Sequence, residues 1–209
     1  MPPRTTVLLV RHGQTKTTGV VLPGRAPGLG LSEAGRRQAE ALAARIGRLP
    51  QVTAVYASAL ERARETAAPI ARDRGLTVWI EPDLSDLDVG AWTGLRIGHA
   101  RRRPEWMAIQ HHPSGFRFPG GESFAEMQAR MTGALGRLTD RHRGETIVAV
   151  SHADPIKAAL AHVLGRGLDE FQRFGVAPGS ITAIAYEAGA ARVLAMNSVN
   201  GDLAGLEGR

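Results

Sequence analysis

The hydrophobic pattern of this chain alternates between short continuous apolar runs and longer stretches that are apolar on one helical face. A short run bounded by polar or turn residues is typical of a strand that is buried on both faces of a sheet. Six such runs predict strands at residues 6–10, 52–56, 76–80, 146–150, 181–186 and 192–199.

The stretches between these runs carry helix-start signals. Ser32 is placed to cap a helix that extends to about Gly47, and the stretch from Ser58 to Glu61 fits a capping box that opens a helix to about Arg74. A second capping box, at residues 123–126, precedes a stripe of apolar residues at helical spacing: Phe124, Met127, Met131, Leu135 and Leu138. Another helix, with Pro155 in its first turn, follows the strand at residues 146–150.

The order of these elements predicts an α/β fold, a three-layer α/β/α sandwich with a mostly parallel central sheet. The irregular stretch at residues 83–121 is rich in Gly, Pro and His and contains one predicted short helix near residues 98–111. Residues 95–120 are therefore expected to form a small cap insertion over one end of the sheet. We expect one domain over residues 1–209, with a flexible Gly-rich tail from about residue 200.

Composition narrows the class of protein. The chain has 209 residues, 43% hydrophobic and 22% charged, which is ordinary for a globular protein. It contains no cysteine, no signal-peptide pattern and no apolar run long enough to span a bilayer, so we expect a cytoplasmic protein without membrane association. The net charge of +6 comes with only 5% aromatic residues, which favours a solvated basic surface over nucleic-acid binding. The sequence leaves a homodimer open.

Polar residues follow three predicted strands at the point where each strand ends. Because the carboxyl ends of parallel strands meet at one edge of a sheet, we expect these residues to converge on a common site. The segments are Arg11-His12-Gly13-Gln14-Thr15, the stretch from Ser58 to Ala67, and Ser151-His152-Ala153-Asp154.

Other motif interpretations fail. Gly28-Leu29-Gly30 has no third glycine at dinucleotide spacing, and the chain has no Walker A lysine motif and no Gly-x-Ser-x-Gly elbow. The remaining histidines show no metal-ligand spacing, so we expect no metal site and no cofactor.

The three segments, together with others in the same order, resemble the histidine phosphatase superfamily, also called phosphoglycerate mutase-like. The resemblance covers about residues 6–165, and the motif sequences are most similar to those of a subgroup of phosphomutases and phosphatases. The additional matching segments are Leu31-Ser32-Glu33-Ala34-Gly35, Gly90-Ala91-Trp92-Thr93-Gly94 and Pro119-Gly120-Gly121-Glu122-Ser123.

The resemblance implies that His12 is a nucleophile that becomes phosphohistidine, that Arg11 and Arg62 clamp the phosphoryl group, and that His152 donates to its oxygens. These roles agree with the chemistry of phosphoryl transfer, which depends mainly on positioning and on stabilising negative charge. Planar guanidinium donors match phosphate oxygens, and a neutral imidazole is nucleophilic near pH 7. The implied substrate contacts come from Arg11, Gln14, Thr15, Gly24, Arg62 and Ala153.

The general acid is where this chain departs from the family pattern. The family usually has a glutamate two residues after a leucine, and Asp86 stands at that position after Leu84. Asp86 is one methylene shorter and needs a raised pKa to act as an acid. Asp88 is the competing candidate. Thr18 and Ala153 also replace the residues that are usual at their positions.

These features predict a metal-independent phosphate monoester hydrolase that acts on a small phosphorylated metabolite. Two alternatives remain. A phosphomutase would return the phosphoryl group to another hydroxyl, although the short cap insertion favours access of water. A non-catalytic phosphate-ligand sensor would keep the pocket but lack efficient acid catalysis at Asp86.

Overall fold

A computed structural model of the chain describes residues 3–203 and contains a six-stranded sheet in the order β3-β2-β4-β1-β5-β6. The strands are β1 (Thr5–Arg11), β2 (Val52–Ala57), β3 (Val78–Ile80), β4 (Thr146–Ser151), β5 (Ile181–Glu187) and β6 (Ala190–Ser198). The strands β3, β2, β4 and β1 run parallel, and β5 pairs antiparallel with both β1 and β6. The predicted mostly parallel sheet is therefore confirmed.

Helices cover both faces of this sheet. Alternate residues of β1 point to opposite faces, so Leu8 packs on one side with α1 (Glu33–Ile46) and α2 (Glu61–Arg72). On the other side, Leu9 packs with α5 (Phe124–Arg141) and α6 (Ala153–Val163). The central strands β1, β2 and β4 are thus buried on both faces, which explains why they are nearly continuous apolar runs, whereas the edge strands β3 and β6 are partly exposed.

Two of the three serine caps predicted at helix starts are confirmed. The Oγ of Ser32 accepts a hydrogen bond from the amide of Gly35, and the capping box between Ser123 and Glu126 is complete. The third prediction is wrong, because α2 begins at Glu61, after Leu60, and Ser58 makes no capping box. The Ser58 hydroxyl is instead engaged with another strand end.

The cap insertion contains two short helices rather than the one predicted. These are α3 (Ile97–Ala100) and α4 (Glu105–His111), and Pro104 at the start of α4 interrupts the helical hydrogen bonding between them. Short 3₁₀ turns form at Pro82–Leu84, Gly90–Trp92, Pro113–Gly115 and Leu168–Arg173. A cluster of aromatic rings fixes the insertion to α5 through edge and tilted contacts of Trp92, Phe116, Phe118, Phe124 and Phe171.

The end of the described chain returns to the core, where Leu203 is buried against the α1–α2 face of the sheet. The rest of the tail predicted to be flexible, residues 204–209, lies outside the described residues. Within residues 3–203, none of the helices combines the length and the apolar character that crossing a membrane requires.

The backbone at Gly90 packs closely against the end of the cap insertion at Pro119 and Gly120. Gly90 has φ +47°, and a Cβ at this position would lie 2.3 Å from the carbonyl oxygen of Pro119. We expect Gly90→Ala to lower the free energy of unfolding by about 2–4 kcal/mol, because it combines strain with overlap of backbone atoms. Urea denaturation measures the change.

Gly98→Ala is the matched control, since a Cβ at Gly98 meets no atom within 4 Å and the residue lies in α3. This variant should be unchanged or more stable by up to about 1 kcal/mol. Equal unfolding midpoints for the two variants would show that the contact at Gly90 is not restrictive.

Candidate active site

The register of the central strands brings the three polar segments to one edge of the sheet. β4 lies between β2 and β1. The backbone hydrogen bonds between β4 and each of these two neighbours continue for one residue past the end of β2 and of β1. The amide of Ser58 donates to Val150 O at 3.0 Å, and the amide of His12 donates to Ser151 O at 3.0 Å. Ser58, His152 and His12 therefore lie side by side, as parallel topology predicts.

His12 is held with one ring nitrogen as a donor. Its side chain is buried, and Nδ1 lies 2.7 Å from the carbonyl oxygen of Gly13. A carbonyl oxygen only accepts, so Nδ1 carries the proton and Nε2 keeps its lone pair. Burial lowers the pKa of His12 well below its ordinary value of 6.5, and electrostatic repulsion from His152 and Arg62 lowers it further. His12 is thus a neutral imidazole with a free nucleophilic nitrogen near pH 7.

His152 lies next to His12, with 5.0 Å between the ring centroids. Its Nε2 is 2.8 Å from the Oγ of Ser58, and its Nδ1 is 3.6 Å from Oδ2 of Asp86. Burial lowers the pKa of His152 well below 6.5, with a further contribution from the charge of Arg62. The contact with Asp86 is therefore between a neutral ring and a carboxylate, and is not an ion pair.

Two arginines approach the histidines from different elements. Arg62, in the first turn of α2, is fully buried, and its Nη2 donates to Gly24 O and to Oδ2 of Asp86, each at 2.8 Å. Arg11, the last residue of β1, donates from Nη1 to Val176 O at 2.6 Å. Each guanidinium is anchored by some of its N–H groups, which leaves others free for a ligand.

Unpartnered donors concentrate at this site. Within the part of the chain that the structure describes, six buried side-chain atoms have no hydrogen-bond partner. Four of them are Nε of Arg11, Nε and Nη1 of Arg62, and Nδ1 of His152. Leaving a buried donor unsatisfied costs about 1–3 kcal/mol, and more for a charged group. An anion with several oxygens, such as a phosphoryl group, would satisfy these donors together.

Contacts with α5 fix the position of the segment that carries Asp86. Arg130 donates to the carbonyl oxygens of Asp83, Ser85 and Asp86, at 2.7, 2.7 and 2.9 Å, and forms an ion pair with Glu122. Glu122 in turn accepts a hydrogen bond from the amide of Asp88 at 3.0 Å. Asp86 is thus held at the site by these backbone contacts in addition to the ion pair of its own side chain with Arg62.

Asp88, the competing candidate, points into a turn. Its Oδ1 accepts a hydrogen bond from the amide of Gly90 at 3.0 Å, and it does not line the cavity beside His12. Asp86 does line that cavity. The geometry therefore favours Asp86 over Asp88 as the acid.

The cavity has a volume of about 300 Å³, which suits a small metabolite. The predicted residues on its walls are Arg11, His12, Thr15, Gly24, Asp86 and Ala153. Thr18, whose identity departs from the family pattern, also lies there and closes the loop by accepting a hydrogen bond from the amide of Thr15 at 2.9 Å.

The structure does not place Gln14 on this cavity. Gln14 is exposed and lines a separate cleft beside α1, because its carbonyl oxygen accepts from both the amide and the hydroxyl of Ser32. The predicted substrate contact of the Gln14 side chain therefore disagrees with its position. Gln14 holds the start of α1 against the end of β1.

Several residues at the site were missed by sequence reasoning. Lys157 lines the cavity from α6, next to Asp154 of the third predicted segment, and the spacing of Ala153 and Lys157 by one helical turn was a signal that could have found Lys157. Ser58 was misread because Ser-x-x-Glu is a common helix start. Arg130 carries no local signal, since its contacts are made across the fold.

Two glutamates of α2 hold the loop that precedes α1. Oε1 of Glu61 accepts from the amide of Gly28 at 3.0 Å, and Oε2 of Glu65 accepts from the amide of Leu31 at 2.8 Å. These bonds tie the loop before α1 to the helix that carries Arg62. They also explain why Glu61 does not complete a capping box.

Two neutral histidines and two arginines, with unpartnered buried polar atoms between them, lie at one edge of a mostly parallel sheet. This set of groups suits an anion with several oxygens. The described residues contain no group of three or more His, Asp or Glu side chains that could hold a metal ion. The chain belongs to the histidine phosphatase superfamily (branch 1), whose family model matches residues 7–199. The predicted family is therefore confirmed.

Known relatives agree with this assignment. Phosphoserine phosphatase 1 of Hydrogenobacter thermophilus is 34% identical over 87% of this chain and 86% of its own length. The metal-independent phosphoserine phosphatase of Arabidopsis thaliana is 36% identical over 76% of this chain and 68% of its own length. The solved structure of Bacillus stearothermophilus YhfR has a TM-score of 0.87 at 28% identity, covering 94% of this chain and 98% of that one.

Other curated relatives are longer proteins. Three mycobacterial sequences are 35% identical over 92% of this chain, but the chain spans only 54% of their length. The match to them therefore concerns the histidine phosphatase part.

The unpartnered donors of Arg62 predict a specific effect on anion binding. Arg62→Lys keeps a positive charge but loses the planar N–H donors, so we expect inorganic phosphate to bind roughly tenfold to a hundredfold more weakly by calorimetry. Arg64→Lys, an exposed position on the same helix, is the control and should bind phosphate like the unmodified protein. Equal affinity in both variants would rule out Arg62 as an anion ligand.

Proposed function

We propose that this protein is a cytoplasmic, metal-independent phosphatase that hydrolyses phosphate monoesters of small metabolites through a phosphohistidine on His12. The observation that carries the proposal is the convergence of three unpartnered arginine N–H groups and the unpartnered Nδ1 of His152 beside a neutral histidine with a free Nε2. Donors that are fixed before the substrate arrives stabilise a transition state without reorganisation.

In the first step, Nε2 of His12 forms a bond to phosphorus as the bond between phosphorus and the ester oxygen breaks. Arg11, Arg62 and Nδ1 of His152 donate to the three remaining oxygens, whose charge the transition state spreads. Asp86, in its protonated form, gives its proton to the ester oxygen, and the alcohol leaves.

In the second step, the Asp86 carboxylate takes a proton from water as the water oxygen attacks phosphorus. The bond from Nε2 to phosphorus breaks, and inorganic phosphate leaves. Asp86 is protonated again and His12 is neutral, so the cycle closes without a further reactant. The same carboxyl group therefore serves as acid and then as base.

Substrate binding changes the surroundings of Asp86. In the free protein, Oδ2 of Asp86 lies 2.8 Å from Arg62 and 3.6 Å from His152, where it takes the place of a phosphoryl oxygen. A bound phosphoryl group competes for the same donors and adds negative charge next to the carboxylate. Both effects favour the protonated acid, so substrate itself prepares Asp86 for proton transfer.

Hydrolysis is favoured over phosphoryl transfer to a second hydroxyl. A mutase must hold an intermediate with further anionic groups, which requires additional free cations near the phosphohistidine. Beyond Arg11, the cation on the cavity wall is Lys157, and it is already paired with Asp154 at 3.3 Å and with Gln172 at 3.1 Å. The rival sensor function differs from both in predicting no turnover.

Replacing the nucleophile tests the covalent step. We expect His12→Ala to retain less than about one hundredth of the activity toward an aryl phosphate, because loss of a nucleophile removes the reaction path. The unmodified protein, quenched during turnover of a ³²P-labelled substrate, should carry acid-labile, alkali-stable label, and His12→Ala should carry none. Both measurements are made with a chelator present.

His99→Ala, at an exposed histidine of α3, is the control and should keep full activity. A strict requirement for added divalent metal, or labelling of His12→Ala, would refute the proposed mechanism. Complete absence of turnover in the folded, unmodified protein would favour the sensor.

The role of Asp86 is tested by the leaving group. We expect Asp86→Asn to slow hydrolysis of an alkyl phosphate by roughly a hundredfold to ten-thousandfold, because the alkoxide then departs without a proton. Phosphorylation of His12 by an aryl phosphate should remain fast, since a phenolate needs no acid. Rapid-quench kinetics separates the phosphorylation of His12 from the later attack of water. Phosphohistidine should accumulate if water attacks slowly.

Asp88→Asn serves as the control, because Asp88 caps the turn at Gly90. Dependence on the leaving group in Asp88→Asn but not in Asp86→Asn would move the acid by two residues. Dependence in neither would assign the proton to solvent or to His152.

A further inference from the structure

Ser58 occupies an unusual position for a serine at the start of a helix. Its side chain is fully buried, and its Oγ lies 2.8 Å from Nε2 of His152. The same Oγ accepts a hydrogen bond from the amide of Leu60 at 3.2 Å. The hydroxyl thus contacts one histidine and one amide, and these two contacts limit where its proton can lie.

The hydroxyl proton of Ser58 has one acceptor available. The amide of Leu60 is a donor, so the proton of Ser58 can only go to Nε2 of His152 among the described residues. If Nε2 itself carried a proton, the hydroxyl would accept twice, and its own proton would be buried without an acceptor. Buried polar groups without partners are rare, so this arrangement is disfavoured.

The other ring nitrogen supports the same assignment. Nδ1 of His152 lies 3.6 Å from Oδ2 of Asp86, a carboxylate oxygen that only accepts. A bare Nδ1 would set its lone pair against that oxygen, whereas a protonated Nδ1 would be attracted to it. Because burial keeps the ring neutral, it has a single proton, and the position of that proton decides what the ring can do.

We infer that Ser58 is a positioning residue that donates to Nε2 of His152 and thereby holds the ring as the Nδ1–H tautomer. Its catalytic consequence rests on the proposed function. Only this tautomer gives His152 a donor that faces the phosphoryl site, and the opposite tautomer would turn a lone pair toward the phosphoryl oxygens. The tautomer itself is a property of the free protein and is independent of turnover.

The first experiment measures the tautomer directly. In unmodified protein with ¹⁵N-labelled histidine, long-range ¹H–¹⁵N correlation spectra distinguish Nδ1–H from Nε2–H rings, and loss of one set of signals in His152→Gln assigns the residue. We expect His152 to be Nδ1–H in the free protein. An Nε2–H pattern would overturn the inference and would leave phosphohistidine formation at His12 untouched.

The second experiment removes the donor. We expect Ser58→Ala to lower kcat at least about tenfold, because a wrong histidine tautomer weakens catalysis strongly. In the spectra of the same variant, the tautomer population of His152 should shift toward Nε2–H. Ser58→Thr keeps the hydroxyl and should restore both the tautomer and most of the activity.

Ser180→Ala is the matched control, since Ser180 is also buried and its Oγ has no partner among residues 3–203. It should leave both the activity and the His152 spectrum unchanged. A Ser58→Ala variant that keeps the Nδ1–H pattern would overturn the inference, whether or not its activity falls. If Ser58→Ala does not fold, the spectrum of the unmodified protein decides.

Discussion

The burial of the Arg62 guanidinium is the constraint on which the rest of the site depends. A charged group taken fully out of water costs several kcal/mol unless its donors are satisfied. Here Gly24 O and Asp86 each take a hydrogen bond from Nη2, while Nε and Nη1 have no partner among the described residues. These two unsatisfied donors lie where a phosphoryl group would bind. A ligand that accepts hydrogen bonds from them would therefore gain the free energy that the free protein lacks.

Keeping a half-satisfied cation in place requires rigid neighbours. Asp86 is the counter-charge, and Arg130 fixes its position by bonding to three carbonyl oxygens of the same segment. Ser151 contributes from β4, with its Oγ donating to Leu84 O at 2.7 Å. Asp86 is therefore part of the structure that supports the Arg62 guanidinium.

The sequence predicted the site as far as topology and motifs extend. Strand ends in a parallel sheet converge, so the meeting of Arg11, His12 and His152 follows from the pattern of apolar runs alone. What it could not resolve depends on contacts between distant residues. The spacing from Leu84 indicated Asp86 but left Asp88 as a competitor, and only the tertiary contacts of Arg130 and Glu122 show how the loop is oriented. Ser58 matches a helix-start pattern, but the demand of a buried histidine overrides that local preference.

The attachment of the loop before α1 to α2 has a consequence for how this site can diversify. Because Glu61 and Glu65 hold the amides of Gly28 and Leu31 and Arg62 holds the carbonyl oxygen of Gly24, one helix sets the position of both the phosphoryl clamp and the loop from Gly24 on the cavity wall. A substitution that shifts α2 to admit a bulkier substrate would also displace the reacting phosphorus from His12. New specificities are therefore more accessible through the opposite wall, where Leu22 and Ile97 lie on segments that carry none of the phosphoryl donors.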